Sequence, residues 1–263
     1  VATEYAGGDG SEKTPFLISN GEQLAKLNYD TETEGKYYKL THDIILNDSS
    51  LSNWKQYAIN WVCDTASAQF KGTLLGNGHT IYGLYYKDSS PKSWAIQGVG
   101  LIPRVNFGTT CEVKNLAIDN SYMYGHAGAS AFVGCGGTGN DYSEVRAEII
   151  IDRCFVGEKV TVDGTSAGAF RGATRGSNTT ITNSYSLGTI TGSDYGLVAG
   201  ASWESTVIMT NVYNGNGPLG SAASGTFTNC YQTVAGAYSA NVVSAVDMQG
   251  KSVLTNASQM PGL

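Results

Sequence analysis

Charge is scarce in this chain. Only 14% of its 263 residues are charged, against roughly 25% in ordinary soluble domains. The net charge is −6 with no Lys/Arg cluster, which argues against nucleic acid or an anionic membrane surface as a partner. No apolar run approaches the ~18 residues of a membrane span. Five cysteines without a CxxC pair (Cys63, Cys111, Cys135, Cys154, Cys230) exclude a standard structural zinc site. The three histidines, His42, His79 and His126, form no cluster, so no metal or cofactor is expected. Gly136-Gly137-Thr138-Gly139 lacks the following Lys-Ser/Thr and helix of a phosphate loop. No stretch carries an amphipathic helical period over about ten residues, which excludes a helical bundle. Val1 in place of an initiator Met leads us to expect a processed or trimmed chain.

What is abundant is Gly (34), Tyr (16) and Asn/Ser/Thr, with 41% hydrophobic residues. That is enough apolar material for a core rather than disorder, and the balance suggests an extracellular or cell-surface protein. At most two disulfides are possible, and most of the cysteines are expected as small buried hydrophobes. Sequon-type residues stand at Asn47, Asn178 and Asn256.

Internal repeats organise the chain. An apolar-x-Asn-x-aromatic pattern recurs at Val113–Ala117, Ile151–Phe155, Ile181–Tyr185, Met209–Tyr213 and Phe227–Tyr231. A small-apolar-x-Gly pattern alternates with it, at Ala131–Gly134, Ala169–Gly172, Leu197–Gly200 and Pro218–Gly220. The spacing shortens to 18 residues between Asn211 and Asn229. Fixed short motifs with loops of variable length are what stacked strands in register require. The strand segments are β-branched or aromatic and flanked by turn residues. An all-β solenoid of parallel strands follows, with coils roughly 4.8 Å apart. Ser19-Asn20-Gly21-Glu22 reads as a capping box; the short helix after it turns Leu24 and Leu27 inward over the first coil. We divide the chain into an N-terminal cap with a short helix (1–38), a parallel β-helix core (39–234) and a C-terminal cap or linker to a further region (235–263).

Phe70-Lys71-Gly72-Thr73-Leu74-Leu75-Gly76-Asn77-Gly78-His79-Thr80-Ile81-Tyr82-Gly83-Leu84 resembles the first coil of pectate-lyase-like right-handed β-helices. Gly196–Gly200 followed by Met209–Tyr213 resembles the repeats of GLUG-motif bacterial cell-surface proteins. Gly10–Ile18 with Gln23-Leu24-Ala25 is similar to the cap that opens such domains, and Tyr37–Leu46 to their first full strand. The resemblance implies a right-handed parallel β-helix displayed outside the cell. Leu75, where that pattern has Asp, and Arg153 in the Asn column depart from it.

That fold serves both polysaccharide-cleaving enzymes and passive surface proteins. A glycosidase needs two carboxylates about 5–9.5 Å apart, but Asp119 and Asp152 fall in different columns with no acidic neighbour above or below. A lyase needs acidic Ca²⁺ ligands beside a basic residue; the nearest set is Asp141, Glu144 and Glu148 with Arg146 and Arg153. No nucleophile is paired with a base, and no catalytic residue is assigned.

The informative column is the position two residues after each Asn: Ala117, Phe155, Tyr185, Tyr213, Tyr231. If each Asn makes a bend, Leu116, Cys154, Ser184, Val212 and Cys230 point inward and this column faces outward. Phe155, Tyr185, Tyr213 and Tyr231 then offer an aromatic ladder on which sugar rings or peptide side chains stack; without the bend the same rings are core. Stacked Asn amides satisfy one another and the turns. Tyr82, Tyr85, Tyr86 and Trp94, followed by Tyr122 and Tyr124, form a second aromatic group. The expectation is a monomeric, non-catalytic secreted or surface module for adhesion or carbohydrate binding, within a longer multidomain chain, whose partner is a glycan or a host or extracellular surface ligand. A polysaccharide lyase or hydrolase acting on acidic glycans and a rigid spacer are the alternatives.

Overall fold

A computed structural model describes residues 1–63, 69–88, 98–136, 145–199, 205–220, 225–236 and 241–242. It is a right-handed parallel β-helix, in which the strand pairings between described residues are all parallel. The strands among the described residues form a 13-stranded and a 7-stranded sheet. One wall stacks Phe16–Ile18, Tyr37–Leu40, Thr73–Leu75, Thr110–Lys114 and Ala147–Asp152 in succession. It continues through Ser177–Ser186, Thr206–Asn214 and Gly225–Gln232. Phe16–Ile18 already pairs with the strand above it, so the sheet begins within the N-terminal segment.

The Asn repeat makes the corner. Asn115, Asn183, Asn211 and Asn229 sit at φ of 54°, 51°, 55° and 52°, the left-handed region that Asn tolerates better than most residues. Their amides run coil to coil: Asn229 Nδ2 donates to Asn211 Oδ1 (2.7 Å) and Asn211 Nδ2 to Asn183 Oδ1 (3.0 Å). Arg153 occupies the same corner at φ 52° without an amide. The preceding residue supplies the missing acceptor, since Asn183 Nδ2 donates to Asp152 Oδ1 at 3.0 Å.

Alternation then fills the interior. In Ala147–Asp152 every second residue is buried, and Leu74, Val113, Ile151, Ile181 and Met209 form one inward column. Leu116, Cys154, Ser184, Val212 and Cys230 are buried after the bend, as expected. All five cysteines are buried as thiols. The inward column Val156, Ser186, Asn214, Gln232 turns polar as the coils shorten. There Asn214 Nδ2 donates to Pro218 O (2.6 Å) and Gln232 Oε1 accepts from Leu219 N (2.9 Å). The amides thus take up backbone groups of the abbreviated coil, which would otherwise be buried without partners.

The helix Gly21–Lys26 covers the first coil with Leu24 and Leu27 buried. Its cap is one residue later than the sequence suggested. Asn20 is the N-cap, accepting from Gln23 N at 2.9 Å, and Gln23 Oε1 reaches back to Ser19 N at 2.8 Å. Gln23 therefore performs the reciprocal role assigned to Glu22.

Candidate functional site

The register places Ala117, Phe155, Tyr185, Tyr213 and Tyr231 in one line. The corner turns them out of the main interior, where Ala117, Phe155, Tyr185 and Tyr213 make a small apolar cluster of their own. The open platform expected of Phe155, Tyr185, Tyr213 and Tyr231 does not form. The first three rings are only 8%, 1% and 3% exposed, and Tyr231 is half-buried. The reason is the rung spacing: coils ~4.8 Å apart bring each ring against the next, as in the 4.3 Å centroid separation of Phe155 and Tyr185. Leu187 packs against the flank. Among the described residues the buried Oη atoms of Tyr185 and Tyr213 have no hydrogen-bond partner, and burial pushes both phenols above their ordinary range.

The second aromatic group is divided as well. Tyr85 and Tyr86 are buried; Tyr85 stacks on half-buried Tyr122 at 5.7 Å, and Lys55 Nζ lies 4.7 Å from the Tyr122 ring centre. Trp94 lies outside the described residues, as do Asp141 and Glu144.

Asp152, weighed with Asp119 as a glycosidase carboxylate, is structural, and it engages Arg153 of the lyase set. Its carboxylate accepts from Thr182 Oγ1 (2.6 Å), Asn183 Nδ2 (3.0 Å) and Arg153 Nε (2.8 Å). Burial by itself would raise this carboxyl, but those donors prevail and hold it below the usual carboxylate range. His79 is likewise tied down, with Nδ1 3.2 Å from Asp43 Oδ1. No cluster of three or more His, Cys, Asp or Glu fit for a metal ion occurs among the described residues.

Arg146 and Glu148 do come together, on the outer face of the wall. They line an open cleft of about 560 Å³ with Gly108, Thr109, Thr110, Val145 and Asn178. The register explains this: Thr110, Glu148, Asn178 and Thr206 are successive rungs of one outward column. Asn178 is the hinge of the arrangement. Its Oδ1 accepts from Arg146 Nη1 (3.2 Å) and Thr206 Oγ1 (2.7 Å), while its Nδ2 donates to Glu148 Oε1 (2.6 Å). The amide orientation is thereby fixed at both ends, and a guanidinium and a carboxylate face the same opening. Val145, 62% exposed, adds an apolar wall. Sequence reasoning singled out Arg146 and Glu148 but missed Asn178 and Thr110 as site residues. Asn178 carried only its sequon as a signal, and Thr110 carried none.

Inside the same coils lies a buried cation the sequence did not flag. Arg171 is fully buried. Its guanidinium donates to Val133 O (3.3 Å), Gly134 O (3.2 Å), Ser177 Oγ (2.8 Å) and Thr179 Oγ1 (3.4 Å). Burial pushes its pKa down to about 10.

Fold and cleft together define a parallel β-helix with a small polar depression on one wall. No protein-family model matches the chain. A provisionally named Gly-rich membrane protein of Evansella cellulosilytica is 29% identical over 145 residues, covering 54% of this chain and 15% of that protein. Halomucin of Haloquadratum walsbyi is 27% identical over 128 residues, covering 48% of this chain and 1% of that protein. The chain therefore spans a small fraction of these relatives' length. The crystal structure of a provisionally named immunoglobulin A1 protease from Bacteroides ovatus superposes with a TM-score of 0.54. It covers 91% of this chain and 84% of that one at 17% identity, a likeness of fold alone. No helix among the described residues is long and apolar enough to cross a membrane.

Proposed function

We propose that this chain is a non-catalytic β-helix module of a larger secreted or cell-surface protein, and that it binds carbohydrate in the cleft between Arg146, Glu148 and Asn178. The observation carrying this reading is the fixed chain of hydrogen bonds Arg146–Asn178–Glu148 at an open cleft. A pyranose needs both donors and acceptors for its hydroxyls and an apolar surface for its C–H face; the cleft supplies a guanidinium, a carboxylate and Val145. The resemblance to GLUG-motif surface proteins supports the extracellular placement. So do relatives whose names include a membrane protein and a halomucin, and whose length far exceeds this chain.

The test is a glycan-array screen on the intact chain with Arg146→Ala and Glu148→Ala beside the parent, run with reducing-sugar and unsaturated-product assays. Binding without turnover, lost in both variants at unchanged far-UV spectra, is the expected result. Turnover would replace the module with an enzyme, and binding indifferent to both substitutions would move the ligand off this cleft.

A further inference from the structure

We infer that the cleft selects neutral sugars bearing vicinal hydroxyls and discriminates against carboxylated ones. This rests on the carbohydrate reading above and names its ligand class. The argument begins with directionality. A guanidinium only donates hydrogen bonds and a carboxylate only accepts them, whereas each sugar hydroxyl does both. Asn178 holds Arg146 Nη1 at 3.2 Å from its Oδ1 and Glu148 Oε1 at 2.6 Å from its Nδ2. One amide therefore separates a one-way donor from a one-way acceptor. The ligand class this inference names meets that pair with two neighbouring hydroxyls, the first accepting from Arg146 and the second donating to Glu148.

A uronate carboxylate is suited to only half of that arrangement. It would pair with Arg146, whose guanidinium has further donors, but would place its anion beside Glu148, with no hydrogen to donate to it. The next outward position on the Thr110–Lys114 strand adds Glu112, whose carboxylate is already engaged by Lys114 Nζ at 2.7 Å. Among the described residues the remaining lining of the cleft is Gly108, Thr109, Thr110 and Val145, which contributes no second cation. A net charge of −6 repels polyanionic glycans at long range as well.

The experiment is titration calorimetry on the full chain with neutral hexasaccharides of mannan, galactan and glucan type against hexagalacturonate, at low and moderate salt. The parent is expected to bind at least one neutral hexasaccharide about tenfold or more tighter than the uronate, a factor equivalent to ~1.4 kcal/mol. Glu148→Gln keeps an oxygen facing Asn178 Nδ2 and removes the charge. It is expected to strengthen uronate binding several-fold while weakening the neutral ligand. Uronate bound as tightly as the neutral sugars, with Glu148→Gln leaving their ratio unchanged, overturns the selectivity while the carbohydrate reading survives. No binding of any of the sugars overturns both.

Discussion

Replacing Tyr185 by Phe removes one oxygen from the most enclosed ring of the outer column, and the protein should become more stable. The ring is 1% exposed and its Oη has no hydrogen-bond partner among the described residues. In the unfolded chain that hydroxyl is solvated, so folding bears the desolvation of an unsatisfied polar group, about 1–3 kcal/mol. Phe keeps the contact with Phe155, whose ring centre is 4.3 Å away at 45°, and keeps the area buried under Leu187 and its neighbours. The loss of one small atom leaves little void, so the net gain should be about 1 kcal/mol, or ~2–4 °C in Tm for a chain of this size. Tyr185→Ala is the counterpart. It forfeits the whole ring and leaves a cavity, costing about 3–5 kcal/mol. The measurement is urea unfolding of parent and both variants, with equal slopes required before midpoints are compared. If Tyr185→Phe is less stable than the parent, the hydroxyl has a hydrogen-bonding partner in solution, and the account of the column as a dry stack is wrong.

Arg171→Met should destabilise by roughly 2–4 kcal/mol: four acceptors lose their donor, partly offset by relief of a buried charge. Urea unfolding would refute this if the variant matched the parent. Alkaline stability follows from the buried thiols. Burial pushes Cys111 and Cys154 from 9.0 up to about 12, so the folded state holds protons that the unfolded state releases. Their contribution is complete below pH 9 and is lost as pH rises toward about 12. Thiolate absorbance should therefore appear together with loss of the far-UV β signal; thiolate formation well before unfolding would contradict it.

The architecture was legible because the chain repeats a geometric necessity. A corner at positive φ favours Asn, and the residue after it must point inward, so the repeat Asn115, Asn183, Asn211, Asn229 carried both the bend and the facing of its neighbours. Arg153 shows the limit of that rule, since the corner survives with Asp152 taking over the acceptor. The N-cap was displaced by one residue because Ser19 and Asn20 are both good caps, with Glu22 and Gln23 both able to answer them. Exposure of the aromatic column was left open by the sequence for a different reason. Facing is set by alternation within one strand, whereas burial here is set by rings on the coils above and below. Arg171 was invisible because its four acceptors come from two segments, Val133–Gly134 on the coil before it and Ser177–Thr179 on the strand after it.

The cleft was half legible on the same grounds, and this bears on how such a site acquires its chemistry. Arg146 immediately precedes the strand that carries Glu148, so the two could be paired by eye, but Thr110 and Asn178 belong to the coils below and above Glu148. Their separation is a property of the stack: rungs ~4.8 Å apart place Glu148 Oε1 within 2.6 Å of Asn178 Nδ2 whatever the loops between them contain. Inward residues hold the spacing, and outward ones in the same strands decide what it recognises. A change at Thr110, Glu148, Asn178 or Thr206 therefore alters the donors and acceptors offered without altering their geometry, since the backbone ladder is fixed by Cys111, Ile149, Thr179 and Val207 beneath. Ligand preference on this wall should accordingly be transferable by outward substitutions alone, with stability nearly unchanged.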